Sequence, residues 1–289
     1  MLTADELRQI RRLHLQASRK VSSPFSGEYR SAFRGQGMEF EEVRPYLPGN
    51  DVRRIDWNVT ARTGHPFIKE FREERQLTLM LVLDLSASTL FGSGGRDGRT
   101  TKRLQIARLA GALAFAAIRT GDRVGMITFT DKIDSYLPPR RSRGHVWAIV
   151  RAAFEHTGRA HRHTDLRSVF EGVAGLVKRR SVVCVASDFL SETPFDRELA
   201  ILSRRHNTNG FLIHDPLERA VPPVGLVEIE DAETGRRKVI DTSAVDAQRS
   251  VESRIQQLRR LGVRARSVGT DEDPFALLIA HFRTLERMR

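Results

Sequence analysis

The chain has one cysteine, few lysines and no long apolar run, and each shortage excludes something. Cys184 has no second cysteine to pair with, so no intramolecular disulfide framework holds the fold. It sits in the apolar run 182–186 and reads as core filling in a reducing compartment. The longest unbroken apolar stretch, Leu109 to Ile118, is about half of what a bilayer-spanning helix needs. The first helical segment, Asp5 to Lys20, is charged and lacks the apolar centre of a secretory signal. No low-complexity tract and no internal repeat is present, which removes collagen, coiled coil and disorder. These absences together predict a cytoplasmic protein with no membrane insertion.

What is present is a 289-residue chain, 40% hydrophobic and 29% charged, with enough apolar residues to fold around its own core. Its net charge of +12 invites a nucleic-acid reading. Lysine, however, occurs only at positions 20, 69, 102, 132, 178 and 238, so the charge is arginine. The arginines are scattered in pairs such as Arg53-Arg54 and Arg259-Arg260, a skew that genome base composition explains as readily as phosphate binding. No zinc-finger, helix-turn-helix or ribonucleoprotein pattern accompanies them, so no specific nucleic acid is expected.

Hydrophobic periodicity divides the chain at about residue 75. Residues 1–75 combine an amphipathic helix with a stretch dense in turn formers, predicting a small β-rich lobe. From 76 to 289, apolar runs too continuous for one-sided strands alternate with helical patterns. LTLMLVLDL, VGMITFT, SVVCVAS and GFLIHD read as buried strands, and 102–119, 145–156 and 165–178 as helices. That rhythm demands an α/β fold: a doubly wound, mostly parallel sheet with helices on both faces. A β-hairpin at about 224–242 interrupts it as an insertion.

Asp84-Leu85-Ser86-Ala87-Ser88 begins where the first buried strand ends, which is where open α/β sheets place ligands. A carboxylate and two alternate hydroxyls can turn three oxygens to one point, the donor type that hard divalent cations take. Alone the pattern is common in turns and caps. Thr164, at the start of a helix, and Asp188, at the end of the strand through Ala186, leave the same sheet edge if the strands are parallel. The strands carrying Asp84 and Asp188 should then be neighbours across the switch in strand order.

DLSAS, TDL and ASD together resemble the metal-ion-dependent adhesion site of von Willebrand factor A domains. GQGMEFEEVRPYLPGNDVRRIDWNVTAR, FIKEFREERQLTLMLVLDLSAS, GDRVGMITF, SDFL and HDPLERAVPPVG narrow the resemblance to bacterial domain-of-unknown-function family 58, across nearly the whole chain. Asn50, where the family commonly has an acidic residue, and Thr89, where it often has Met, depart from its pattern without touching a ligand position. The resemblance implies a von Willebrand A-like fold and Mg²⁺ or Mn²⁺ held by Asp84, Ser86, Ser88, Thr164 and Asp188. It also implies a non-enzymatic protein-binding module whose partner, a MoxR-type AAA+ ATPase or its client, offers an acidic residue.

Other signals weigh less. SGGRDGRT departs from a phosphate-binding loop at its first glycine and its lysine. His156, His161 and His163 lack the spacing of a zinc site and fit the rim of the candidate site better. A metal-assisted hydrolase, the main alternative, would need a base, and Asp165 and His163 are the candidates. Arg34, Glu39, Arg44, Asp51, Arg54, Asp56 and Trp57 form a group in the N-terminal lobe. They read either as salt bridges anchored by Trp57 or, through Arg34 and Arg44, as a docking surface for the ATPase.

Overall fold

The computed structural model describes residues 28–29, 32, 37–74, 77–91, 100–155, 164–219, 224–230, 235–242 and 247–287. The helix expected over 5–20, Arg34, the histidines at 156, 161 and 163, and the loop 92–99 lie outside them. Two compact units are present, 33–76 and the remainder of the chain.

In the small unit, strands β1 (Gly37–Pro45) and β2 (Phe67–Glu74) pair antiparallel, with an irregularity between Phe40 and Glu42. Between them lies helix α1 (Trp57–Thr63), where turn signals had suggested only strand-like runs. Its two ends explain it. Asp56 accepts hydrogen bonds from the amides of Asn58 and Val59, and Gly64 closes the helix at φ 75°, a conformation that favours glycine. Trp57 is 70% exposed and so anchors no core.

The large unit carries the sheet. Its strands are β3 (Thr78–Asp84), β4 (Arg123–Phe129), β5 (Ile133–Arg140), β6 (Val182–Ser187) and β7 (Asn207–His214), with β10 (Arg264–Gly269) after the hairpin β8 (Leu226–Glu230) and β9 (Arg237–Asp241). The order is β10-β7-β6-β3-β4-β5, parallel except for β5, which pairs antiparallel with β4 after a short turn. β3 lies at the centre, and the chain moves first to one side of it and then, through β6, to the other. The switch in strand order therefore falls between β3 and β6.

Burial on both faces explains why these strands read as unbroken apolar runs. Met80 and Val82 share a core with Val169, Phe170, Leu199, Val251 and Leu258, contributed by helices α4 (Leu166–Leu176), α5 (Asp196–Arg205) and α7 (Ala247–Arg260). Leu79, Leu81 and Leu83, equally buried, point to the other face by the two-residue period of a strand. There α2 (Lys102–Thr120) packs, and α3 (Arg143–Glu155) and α8 (Pro274–Arg287) pack on α2. Because α2 is covered on several sides, it is apolar around most of its circumference. A Cβ on Gly125 would lie 2.8 Å from the Leu137 carbonyl oxygen, so glycine permits the bulge that lets β5 close over β4. The β8–β9 ribbon enters between β7 and β10, as the insertion pattern predicted.

His281 and Asn209 form a polar pair sealed within the large unit. Imidazole Nε2 of His281 lies 3.1 Å from Asn209 Oδ1, and both residues are buried. Burial, with Arg266 and Arg264 nearby, holds the ring far below its usual value, at about 3, so it is neutral when folded. The unfolded chain therefore binds one more proton between about pH 6.5 and pH 3, and stability falls with acidification across that window. The expected slope is about 1.4 kcal/mol per pH unit from this residue. His281→Gln, which keeps a donor for Asn209 without ionising, should flatten the pH dependence measured by urea unfolding between pH 6.5 and 4.5. An unchanged slope would assign acid sensitivity to other groups.

Candidate metal centre

The β3–β6 register sets Leu83 beside Ala186, so Asp84 and Asp188 emerge at one sheet edge from adjacent parallel strands. Ser187 Oγ donates to Asp84 Oδ2 at 2.5 Å, and the Ser86 amide donates to Asp84 Oδ1 at 2.9 Å. After Ser86 the chain turns through a short 3₁₀ helix, 87–90, which brings the Ser86 and Ser88 hydroxyl oxygens to 3.1 Å. Arg103 Nη2 clamps that loop from α2 by donating to the carbonyls of Leu85 (2.5 Å) and Ser86 (3.0 Å). Thr89 donates its hydroxyl to the Ser86 carbonyl at 2.7 Å and so tightens the same turn.

Asp188 is reached from three directions. Its Oδ1 accepts the Leu190 amide at 3.2 Å, Ser88 bonds its carboxylate, and Lys102 Nζ donates to Oδ2 at 2.8 Å. Lys102 is 1% exposed and also donates at 2.8 Å to Oε1 of Glu218, on the short helix α6 (Pro216–Arg219). Arg254 Nη1 holds the Asp188 carbonyl at 2.7 Å. The next residue, Phe189, has φ 52°, a left-handed conformation that a bulky side chain adopts only where the surroundings impose it.

The electrostatics follow from burial. Asp84 is pushed up to about 7, first by desolvation and then by the charge of Asp188, against partial relief from the Ser187 and Ser86 hydrogen bonds. Burial acts on Asp188 in the same direction, but the Lys102 ammonium outweighs it and holds the carboxyl below its usual range. Lys102 is desolvated too, yet Asp188 and Glu218 keep it above its ordinary value. Lys102 thus serves Asp188 and Glu218, while the Arg103 guanidinium lies within electrostatic reach of Asp84 and that of Arg254 within reach of Asp188 and Glu218. Asp84, which makes no ion pair with Lys102, is the carboxylate left least compensated, and the groups that could ligate an ion here are all oxygens. That carboxylate and the oxygen donor chemistry fit a hard divalent cation.

Four of the five expected ligands, Asp84, Ser86, Ser88 and Asp188, are joined by these contacts. Thr164 is buried and tied to the same loop, because Ser191 Oγ donates to its carbonyl oxygen at 3.0 Å. The cap of α4 belongs to Asp165 rather than Thr164. Asp165 Oδ1 accepts from the Arg167 and Ser168 amides and from Thr193 Oγ1, and Oδ2 accepts from Ser168 Oγ at 2.5 Å. Those bonds hold its carboxyl below the usual range, which makes it a poor proton acceptor. In the small unit, Arg44 Nη1 lies 3.3 Å from Asn50 Oδ1, which also accepts the Leu47 amide.

Lys102, Arg103, Ser187 and Glu218 were not singled out from the sequence. Ser187 directly precedes Asp188 in the sequence. Lys102 left one hint, a cation at the start of a helix otherwise apolar on most faces.

The model of the family described as protein of unknown function DUF58 matches residues 42–260. Uncharacterized proteins of Mycobacterium bovis and Mycobacterium tuberculosis are each 32% identical over 227 residues, covering 78% of this chain and 70% of theirs. Among solved structures, the conserved hypothetical protein BatB of Bacteroides thetaiotaomicron aligns with 15% identity and a TM-score of 0.44, over 73% of this chain and 99% of its own. The SpRpn10 VWA domain aligns with 12% identity and a TM-score of 0.38, over 71% and 94%.

If the two carboxylates repel in the absence of a cation, removing one should help the metal-free fold. Asp84→Asn keeps an acceptor for the Ser86 amide and should raise metal-free stability at pH 8 by ~1–3 kcal/mol. It should also abolish any stabilisation of the wild type by Mn²⁺. Thermal melts with and without Mn²⁺ test both, and a destabilised variant that still responds to Mn²⁺ would show Asp84 to be structural only.

Proposed function

The chain belongs to the family described as protein of unknown function DUF58, and from that premise we propose that it is a non-enzymatic, metal-dependent protein-binding module. The observation that carries this reading is the surrounding of the candidate centre. Leu90, Phe91 and Leu190 follow directly on the two ligand-bearing loops and are 53%, 47% and 45% exposed. Buried oxygens flanked by exposed apolar side chains suit a protein partner, in which a polar anchor is seated and the apolar rim excludes water. When bound, Mg²⁺ or Mn²⁺ supplies a coordination position that an outside carboxylate can complete. The chain's own residues supply the rest: Asp84 and Asp188 the charge, Ser86, Ser88 and Thr164 the neutral oxygens, and Arg103 the fixed loop.

The partner is an Asp or Glu on a MoxR-type AAA+ ATPase or on a client delivered to it, and the family resemblance is the support for that choice. Arg44 offers a second, metal-independent contact on the small unit. Hydrolysis is the weaker reading, because Asp165, the described candidate base, is saturated with donors. Among the described residues no helix is long and apolar enough to cross a membrane.

The reading is tested by binding a purified MoxR-type ATPase in Mg²⁺ and in excess chelator. The complex should form only with metal and be lost in Asp84→Ala. Leu90→Ser and Leu190→Ser should each weaken it about tenfold while leaving Mn²⁺ affinity unchanged. A complex equally strong in chelator would move recognition away from this site. In parallel, the protein with Mg²⁺ or Mn²⁺ should turn over no nucleotide, phosphomonoester or peptide. Metal-dependent hydrolysis lost in Asp165→Ala would favour the hydrolase.

A further inference from the structure

We propose that Lys102 is a built-in counter-cation that sets the affinity of the candidate centre for divalent metal, with Glu218 as the anchor that draws it aside. The inference rests on the metal-centre reading and adds to it a residue that is not among the expected ligands. Its basis is geometric. Lys102 Nζ lies 2.8 Å from Asp188 Oδ2, one of the oxygens a divalent cation would use, and the whole side chain is 1% exposed. No water can screen two cations that share one buried carboxylate, so ammonium and metal ion oppose each other there.

The ammonium cannot leave for solvent, but it has a second place to rest. Glu218 Oε1 is also 2.8 Å from Nζ, while Glu218 Oε2 is fixed by the Asp215 amide at 2.9 Å. Asp188 is not free to follow, since Arg254 holds its carbonyl and the Leu190 amide holds Oδ1. Entry of a cation would therefore break the ammonium's bond to Asp188 and leave it held by Glu218, rather than displace the carboxylate. The Phe91 ring, 5.7 Å from Nζ, roofs the same place, so the ammonium also links the metal position to the exposed apolar rim.

The opposed role and a simple structural role predict opposite signs. If Lys102 competes with metal, Lys102→Met leaves Asp188 and Glu218 without their shared ammonium and should bind Mn²⁺ at least about tenfold more tightly than wild type by calorimetry. Its metal-free melting temperature should fall and be restored by Mn²⁺. Glu218→Gln removes the anchor and should weaken Mn²⁺ binding about tenfold with the fold intact. Asp84→Ala added to Lys102→Met should abolish the gain. A folded Lys102→Met with equal or weaker Mn²⁺ affinity would overturn the inference and leave the metal-centre reading standing. Should that variant fail to fold, unchanged Mn²⁺ affinity in Glu218→Gln would overturn it, and weakened affinity would support it. Mn²⁺ binding by Lys102→Met but not by wild type would uphold the role of Lys102 and refute metal dependence of the natural protein. No Mn²⁺ binding by either would overturn both.

Discussion

Two carboxylates, Asp84 and Asp188, are carried out of water at the ends of adjacent parallel strands, and most of the unusual features nearby follow from holding them there. Burying an ion costs several kcal/mol unless hydrogen bonds and opposite charge compensate. Ser187 and the Ser86 amide serve Asp84, while Lys102, Ser88 and the Leu190 amide serve Asp188. Lys102 in turn depends on Glu218, and the left-handed Phe189 is the backbone's accommodation to the same turn. A fold selected only for stability has no reason to keep such a cluster. Its place at the switch in strand order, where open α/β sheets hold their ligands, is the physical ground of the proposed function.

The remainder of the large unit keeps that cluster in place. Cores on both faces of the sheet fix β3 against β6, and the register between them decides which atoms of the two loops meet. Arg103, one residue beyond Lys102 on α2, ties the Asp84 loop to the same helix that delivers the ammonium. A single helix thus positions both the scaffold of the loop and the charge inside it. Rigid elements carry the polar groups, while the exposed apolar residues sit on the short turns beyond them, an arrangement suited to presenting a fixed anchor to a partner.

The small unit follows a simpler logic. One antiparallel pair and one capped helix leave Leu47, Val52 and Trp57 well exposed, at 58%, 59% and 70%. Asn50, with no acid at that position, uses its amide oxygen to hold the turn at Leu47 and meet Arg44. The local reason is plain: an amide oxygen serves the turn as well as a carboxylate does, without adding a charge.

Sequence alone determined the alternating α/β rhythm, the central buried strands, the hairpin insertion and the motif positions, because each is written in local chemistry. Continuous apolar runs specify strands covered on both faces, and Asp84, Ser86 and Ser88 lie within five residues of one another. Helix α1 was obscured because its short sequence, WNVTART, has weak helical preference and is secured by its caps, Asp56 and Gly64. Lys102 and Glu218 lie 116 positions apart, and Lys102 and Asp188 lie 86 apart. Nothing in a helix-starting lysine announces that it will be sealed between two carboxylates. Only the tertiary structure decided that, since the strand order β6-β3 and the packing of α2 across the sheet bring those distant segments to one edge. Charge can be counted from sequence, but the dielectric and the neighbours that give it meaning arise only when the chain closes around it.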